Sequence, residues 1–128
     1  MNNFIWVAFG GAVGASLRFI SSSLFKGVYP NFPLATLFVN ILGSFIIGLL
    51  MSYLENKNIS ENFIRYFLII GLLGSYTTFS TFSFDAVDLM NNRKFLLSLF
   101  YILISVSSCI LFAFLGYNIN KIQFWKNF

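Results

Sequence analysis

Stretches without a single charged residue occupy most of this chain. Three of them, Gly27 to Leu54, Tyr66 to Phe84 and Phe95 to Asn120, are 28, 19 and 26 residues long, and a fourth, from Met1 to Phe25, is interrupted only by Arg18. About 20 mostly apolar residues are enough for a helix to cross the roughly 30 Å hydrocarbon core of a bilayer. The sequence therefore predicts four membrane-spanning helices, near residues 3–24, 33–54, 63–90 and 95–117.

The composition supports a single integral membrane domain over residues 1–128. Only 9% of the residues are charged and 58% are hydrophobic, whereas a soluble domain usually carries about 25% charged residues. The connections between the predicted spans are short and leave no room for a second domain or a linker. The first span is too long for a signal peptide and has no lysine or arginine before it, so we expect it to remain in the mature protein.

The composition also excludes several other classes of protein. The chain has no histidine, the commonest ligand of transition metals, and its single cysteine, Cys109, cannot form an intramolecular disulfide or a zinc cluster. The eight lysines and arginines are spread along the chain, so we expect no nucleic-acid partner. Without a carboxylate pair at membrane depth or a nucleophile beside a base, we expect no enzymatic activity.

The positive charges are divided equally between the two sides of the membrane. With four spans, both termini lie on one side, together with the connection at 55–62. Four cations lie nearest that side and four nearest the other: Lys57, Arg65, Lys121 and Lys126, against Arg18, Lys26, Arg93 and Lys94. The positive-inside rule therefore gives almost no preferred orientation. Either another feature or a partner sets the orientation, or the chain inserts both ways and pairs with an inverted copy, which would supply the second repeat that many transporters contain.

Polar and small residues recur every four positions along the second span. Thr36, Asn40, Ser44 and Gly48 fall on one slowly drifting helix face. Asn40 is the most informative of them, because polar groups inside a membrane usually point into a bundle or a wet path. The pattern is typical of a polar pathway, and equally of small-residue packing in which the asparagine bonds to a neighbouring helix.

The first and fourth spans carry further patterns. In the fourth span, Tyr101, Ser105 and Cys109 form a second stripe at four-residue spacing. A single serine there would favour packing, since its hydroxyl often bonds to its own preceding turn. Two stripes together are stronger evidence for a polar pathway than either one alone. In the first span, Gly10 and Gly14 form a GxxxG pattern, which predicts close helix contact.

The third span contains the strongest local signal, the segment GLLGSYTTFSTFS from Gly71 to Ser83. Two glycines and six serine or threonine side chains follow one another at mid-membrane depth. Glycine and β-branched threonine both disfavour a helix interior, so we predict a broken helix near residues 74–78. Non-helical backbone at that depth must be buried or line a cavity, and its free carbonyls can bind cations.

Charged residues within the spans are few. Arg18 either extends its side chain to the membrane interface or lies in a vestibule, where it would raise the local concentration of anions. Asp85 and Asp88 fall late in the third span, and no acidic residue lies at the centre of a span. Because proton coupling normally uses an intramembrane carboxylate or histidine, this pattern weighs against a proton-coupled transporter.

Three segments in the first three spans carry an ordered pattern. They read GGAVGASLRF from Gly10, TLFVNILGSF from Thr36 and GSYTTFSTF from Gly74. Together they resemble the bacterial fluoride channels of the Fluc/CrcB family, and the resemblance extends over nearly the whole chain. It implies passive fluoride export across the bacterial plasma (inner) membrane, which lowers cytoplasmic fluoride and its toxicity. It also implies an antiparallel, dual-topology homodimer with two pores.

The resemblance further implies a structural sodium ion and two pore phenylalanines. The sodium ion, which is not transported, would be held at the dimer centre by backbone carbonyls of Gly74 and Thr77 from each subunit. The pore phenylalanines would be Phe79 and Phe82. The edge of a benzene ring is electropositive, so it can solvate a small anion that has lost its water.

Polar side chains complete the set of candidate pore residues. Asn40, Tyr101 and Ser105 match polar positions of the family. Cys109 stands where the family's polar track usually continues with serine or threonine, so either Ser108 replaces it or the track is weaker at that step. The remaining candidates are Thr36 and Thr81 in the pore and Arg18 in the vestibule.

Two other functions remain as alternatives. A dual-topology, proton-coupled exporter of small cations has similar size and layout, but that class depends on a membrane-embedded glutamate in its first helix, and this first span has none. A structural membrane protein without a transported substrate would not need a broken third helix and two polar stripes.

Overall fold

The computed structural model describes residues 2–57 and 61–126, and every element in this part of the chain is a helix. The third span comprises two helices. Its first half, α3, is a wide π-helical segment, Phe63–Leu73, that continues as one α-helical turn, Gly74–Tyr76, and its second half is α4, Phe79–Asn91. The other helices are α1, Asn2–Leu24, α2, Leu34–Lys57, and α5, Phe95–Lys126.

Within the described residues, four helical stretches are long and apolar enough to cross a membrane: Asn2–Leu24, Leu34–Glu55, Phe63–Asn91 and Phe95–Ile122. The chain is therefore a multi-pass membrane protein, and the expected all-helical architecture with four spans is confirmed. The last helix continues to Lys126, beyond the predicted end at 117. Its final turns carry polar residues, and a helix need not end where the hydrocarbon ends.

The third span is interrupted at Thr77 and Thr78, which join α3 to α4. Both have extended backbone, with φ −80° and ψ 155° at Thr77 and φ −150° and ψ 122° at Thr78. The Thr78 hydroxyl caps α4 by accepting a hydrogen bond from the Thr81 N–H at 3.1 Å. This interruption is compatible with the predicted break near 74–78, although Gly74 itself is still helical.

Glycines allow the helices to pack in two close pairs. In the α1–α3 pair, a Cβ atom at Gly10 or Gly14 would overlap the backbone carbonyls of Phe67 or Leu72. In the α2–α5 pair, a Cβ at Gly48 would lie 2.8 Å from the Tyr117 nitrogen. The GxxxG pattern of the first span is thus a packing feature, as the sequence predicted. The polar stripe of α2 likewise ends in a packing glycine.

The turn between α4 and α5 holds Arg93 in the left-handed region, with φ 60°. Here the Lys94 N–H bonds to the Leu89 carbonyl at 2.9 Å and the Arg93 N–H to the Met90 carbonyl at 3.0 Å. This pattern ends a helix most easily when glycine occupies the left-handed position, because a Cβ atom there crowds the following carbonyl.

We therefore expect Arg93→Gly to raise the free energy of unfolding by about 1 kcal/mol. Glycine releases the backbone strain at this position, and the larger conformational entropy of glycine in the unfolded chain offsets part of that gain. Arg93→Ala is the matched control, because it removes the same charge and keeps the Cβ atom, and it should not stabilise the protein. Unfolding in mixed detergent micelles measures both. Equal stability of the two variants would contradict this interpretation of the turn.

Candidate functional site

A cavity of about 410 Å³ opens beside the break, bounded by α2, α3, α4 and α5. It collects residues that lie far apart in the sequence because the polar faces of α2 and α5 both turn toward the break. Among its lining residues are seven that the sequence singled out: Asn40, Gly74, Thr77, Phe79, Phe82, Ser105 and Cys109. Ser44 and Thr78, which were not among the candidate pore residues, line it as well.

Asn40 bonds directly to the backbone of the break. Its Nδ2 donates to the Thr78 carbonyl at 2.9 Å, and its Oδ1 accepts from the Thr78 N–H at 2.8 Å. The carboxamide keeps one N–H that takes part in neither bond, and this N–H remains available to the cavity.

Ser105 presents an unpaired hydroxyl in the same cavity. The residue is 4% exposed, and its Oγ has no hydrogen-bond partner in the part of the chain that the structure describes. Buried hydroxyls are nearly always paired, because leaving one unpaired is costly. A ligand or water in the cavity would supply the missing partner.

Three aromatic rings follow one another from the cavity into the core. The ring centroids of Phe79 and Phe82 are 5.4 Å apart, and those of Phe82 and Tyr101 are 5.3 Å apart. Phe79 is 76% exposed, whereas Phe82 and Tyr101 are buried. The tilted rings present both edges and faces to their neighbours.

A second cavity of about 290 Å³ lies on the α1 side of the break, and Thr78 lines both cavities. It contains Arg18, Thr36 and Thr81, so the predicted vestibule arginine and two predicted pore threonines lie together. Among the residues that the structure describes, Arg18 is the only charged one that lines either of these two cavities. The α1 side therefore favours anions.

Tyr101 connects the ring series to a carboxylate that sequence reasoning left out of the site. Its hydroxyl donates to Asp85 Oδ2 at 3.2 Å, and Tyr101 is fully buried. Asp85 follows Phe82 by three residues on α4, so the i, i+3 spacing could have indicated that the two share a face. Ser108, by contrast, lines neither cavity, whereas Cys109 does.

Comparison with known proteins identifies what this chain is similar to. The family model for CrcB-like protein, Camphor Resistance (CrcB), matches residues 5–117. A protein of Campylobacter jejuni (strain RM1221) named Fluoride-specific ion channel FluC is 43% identical over 122 residues, covering 94% of this chain and 99% of the relative.

Two further relatives carry the same name. That of Rhizobium meliloti (strain 1021) is 42% identical over 117 residues, covering 91% of this chain and 94% of the relative. That of Hydrogenobaculum sp. (strain Y04AAS1) is 41% identical over 114 residues, covering 89% of this chain and 93% of the relative.

Proposed function

The chain belongs to the CrcB family, and on that premise we propose that it is a fluoride channel, not an enzyme. It would let fluoride leave the cell passively across the bacterial plasma membrane. The observation that carries the proposal is the cavity at the helix break, where hydrogen-bond donors and phenylalanine rings line one space at membrane depth.

The chemistry of this lining suits a small, strongly hydrated anion. Fluoride gives up water reluctantly, so a pore must replace its hydration shell with donors. The free Asn40 N–H, the unpaired Ser105 hydroxyl and the electropositive edges of Phe79 and Phe82 are groups of that kind. The N-terminus of α4 also begins at this depth, and the positive end of its dipole favours negative charge.

The electrostatics of the two cavities support entry of an anion from the α1 side. Arg18 lines the second cavity and raises the local anion concentration. From there, Thr36 and Thr81 would pass the ion toward Phe82 and the first cavity. Tyr101 would act beside Phe82, and Cys109 would continue the polar track of α5 as a weak donor.

Fluoride efflux from liposomes containing the purified protein tests the proposal. Vesicles loaded with potassium fluoride are diluted into fluoride-free buffer with a potassium ionophore, and efflux is followed with a fluoride electrode. We expect rapid, electrogenic fluoride release and no chloride release under the same gradient. No release from well-reconstituted protein would reject a fluoride channel and direct attention to cation export.

The Ser105 hydroxyl provides a prediction that separates function from stability. Ser105→Ala should lower fluoride flux about fivefold, because a donor worth roughly 1 kcal/mol is lost from the path. It should not destabilise the fold, since the hydroxyl has no partner in the described residues.

Ser98→Ala is the matched control for that variant. The Ser98 hydroxyl is fully buried and donates to the Ala86 carbonyl at 2.8 Å. Its loss should lower the free energy of unfolding by about 1 kcal/mol and leave flux per folded protein near that of the wild type. Unchanged flux in Ser105→Ala would remove this hydroxyl from the pathway.

We further propose that the channel is an antiparallel, dual-topology homodimer with two pores. Each side of the membrane carries four cations and two acidic residues, a net charge of +2 on each side, which sums to the chain's +4. Gly74, Ser80 and Thr81 are exposed in the middle of the third span. Polar surface at that depth needs a protein partner, and a second copy would cover it.

The topology is tested with a protease-cleavable tag at the C-terminus. In sealed inside-out vesicles of the expressing cell's membrane, external protease should remove the tag from about half of the molecules, because the charge balance gives no preferred orientation. Cleavage of all or none of the tags would reject dual topology.

The dimer centre would also hold a structural sodium ion, which is not transported. In the described residues, the carbonyls of Gly74 and Thr77 accept no hydrogen bond, whereas the nearby Leu73 carbonyl accepts bonds from both the N–H and the hydroxyl of Thr77. Free carbonyls at a helix break are suitable ligands for an alkali cation. Replacement of sodium by N-methylglucamine during purification should weaken the dimer, as measured by light scattering.

A further inference from the structure

We infer that Asn40 is a positioning residue that holds the helix break in place and thereby fixes where the ring of Phe79 stands. This role goes beyond lining the proposed pore, and it rests on the proposed function only for its effect on flux. It concerns the backbone of Thr78, the last residue before α4.

The side chain of Asn40 pairs with the backbone of Thr78 in the way that a second peptide group would. The Asn40 carboxamide donates to the Thr78 carbonyl at 2.9 Å and accepts from the Thr78 N–H at 2.8 Å. Both backbone groups of one residue are therefore satisfied by one side chain. A carboxamide carries the same donor and acceptor as a peptide group, so it can replace the missing helical partner.

The location of the break makes this replacement necessary. Thr77 and Thr78 are extended, so the Thr78 N–H has no helical partner. Water is scarce at membrane depth, and an unpaired backbone group there is costly. Asn40 removes that cost only while Thr78 lies opposite it on α2. The two hydrogen bonds therefore hold the break at one position along α2.

The side chain of Thr78 transmits this position to α4. Its hydroxyl accepts from the Thr81 N–H at 3.1 Å and donates to Thr81 Oγ1 at 3.2 Å. The first turn of α4 is thus capped by the residue whose backbone Asn40 holds. Phe79 is the next residue, and its ring lies 5.4 Å from that of Phe82.

A second contact on the same face of α2 holds the other residue of the break. A Cβ atom at Gly43, one turn after Asn40, would overlap the Thr77 methyl group. The absence of a side chain at Gly43 therefore makes room for Thr77. On α2, Asn40 therefore bonds to Thr78, and Gly43 leaves the space that the Thr77 side chain occupies.

A role in binding fluoride directly makes a different prediction. Asn40 retains one N–H for the cavity, and a variant that lost only this contact would conduct less while Thr78 stayed protected. A positioning role requires that the Thr78 amide hydrogen exchange faster whenever the bond pair is broken. Hydrogen–deuterium exchange at Thr78 thus distinguishes the two roles without any use of fluoride.

Two variants at Asn40 and one control carry the test. Asn40→Leu has similar size and no hydrogen-bonding group, so exchange at Thr78 should accelerate about tenfold or more, and flux should fall. Ser105→Ala, which changes the same cavity away from the break, should leave exchange at Thr78 unchanged. Peptides that overlap residues 74–84 report the amide by mass spectrometry.

Asn40→Asp adds a pH profile that a general loss of folding would not produce. A carboxylate cannot donate to the Thr78 carbonyl, but a protonated carboxyl group has one donor and one acceptor and can form both bonds. Fast exchange and low flux at neutral pH should therefore revert together at a pH low enough to protonate this carboxyl group, after correction for intrinsic exchange rates. Wild-type protein at both pH values controls for the other titratable groups around the break: Arg18 on α1, Tyr76 on α3, Asp85 on α4, and Tyr101 and Cys109 on α5.

The outcomes separate this inference from the proposed function. Normal protection of Thr78 in Asn40→Leu would overturn the positioning role, and so would a pH-dependent recovery of flux without recovery of protection. If Asn40→Leu does not fold, Asn40→Asp alone tests the positioning role. Its protonated form is then the reference with which exchange and flux of its ionised form are compared. If the wild type does not conduct fluoride, the channel is rejected while the exchange measurements still decide the role of Asn40.

Discussion

Replacing Phe82 by isoleucine should lower fluoride flux about tenfold while leaving a folded protein. The tenfold figure corresponds to about 1.4 kcal/mol of lost stabilisation at the barrier, which is within the range of aromatic ring interactions. Isoleucine fills most of the ring's space but has no electropositive edge. Phe79→Ile should act in the same direction, because both rings line the cavity and their centroids are 5.4 Å apart.

The two variants differ in their expected effect on stability. Phe82 is 8% exposed and packs on Tyr101, so its replacement also leaves a small void and should lower the free energy of unfolding by about 1–2 kcal/mol. Phe79 is 76% exposed, and its replacement should have little effect on stability. Phe79→Ile therefore isolates the effect of the ring edge on flux.

Phe112→Ile is the matched control for both. Phe112 contacts Phe45 at a centroid distance of 6.3 Å and lines neither cavity. Liposome efflux normalised to folded protein should be close to wild type for this variant. Wild-type flux in both Phe79→Ile and Phe82→Ile would show that the rings take no part in conduction.

The architecture of this chain could be predicted because the bilayer constrains it strongly. Charge-free length alone gave the four spans, and the glycines and threonines of the third span indicated its break. The π-helical form of Phe63–Leu73 was not predicted, since apolar length does not distinguish a π-helix from an α-helix. The end of α5 at Lys126 was missed, because apolar length marks the hydrocarbon and not the helix.

The candidate site was predictable to the extent that helical periodicity determines it. Spacing of four residues placed Asn40 on one stripe and Ser105 and Cys109 on another, and the structure brings them to one cavity. Periodicity does not give the rotation of a helix against its neighbours, which here follows from close contacts at glycines such as Gly48. For that reason Ser108 and Cys109 could not be distinguished, and Thr78 and Asp85 were left out.

Gly14→Ala should cause a large loss of folded protein, of the order of 3 kcal/mol in the free energy of unfolding. A Cβ atom at Gly14 would overlap the Leu72 carbonyl and lie 2.8 Å from the carbonyl carbon. Both are backbone atoms, so the overlap cannot be relieved by a change of rotamer, and overpacking against fixed atoms costs at least about 1–3 kcal/mol. Gly10→Ala should behave similarly, because its Cβ would overlap the Phe67 carbonyl.

Gly11→Ala is the control that isolates this contact. It lies on the same helix, but its Cβ would meet only the Ser75 hydroxyl at 3.3 Å, a side-chain atom that can rotate away. Yield and thermal stability in detergent should stay near wild type for Gly11→Ala and fall sharply for Gly10→Ala and Gly14→Ala. Wild-type stability of Gly14→Ala would mean that α1 and α3 are farther apart than the structure has them.

The close approach of α1 to α3 also bears on conduction. In lipid, helices gain nothing from hiding apolar surface from water, so dispersion contacts between closely spaced backbones must hold the pair together. Arg18 lies one turn after Gly14 on the same face of α1 and lines the cavity that Thr78 shares. Any Gly14→Ala protein that does fold should therefore show reduced fluoride flux, because moving α1 outward carries the arginine away from the break. Folded Gly11→Ala protein should conduct normally, since it leaves that distance unchanged.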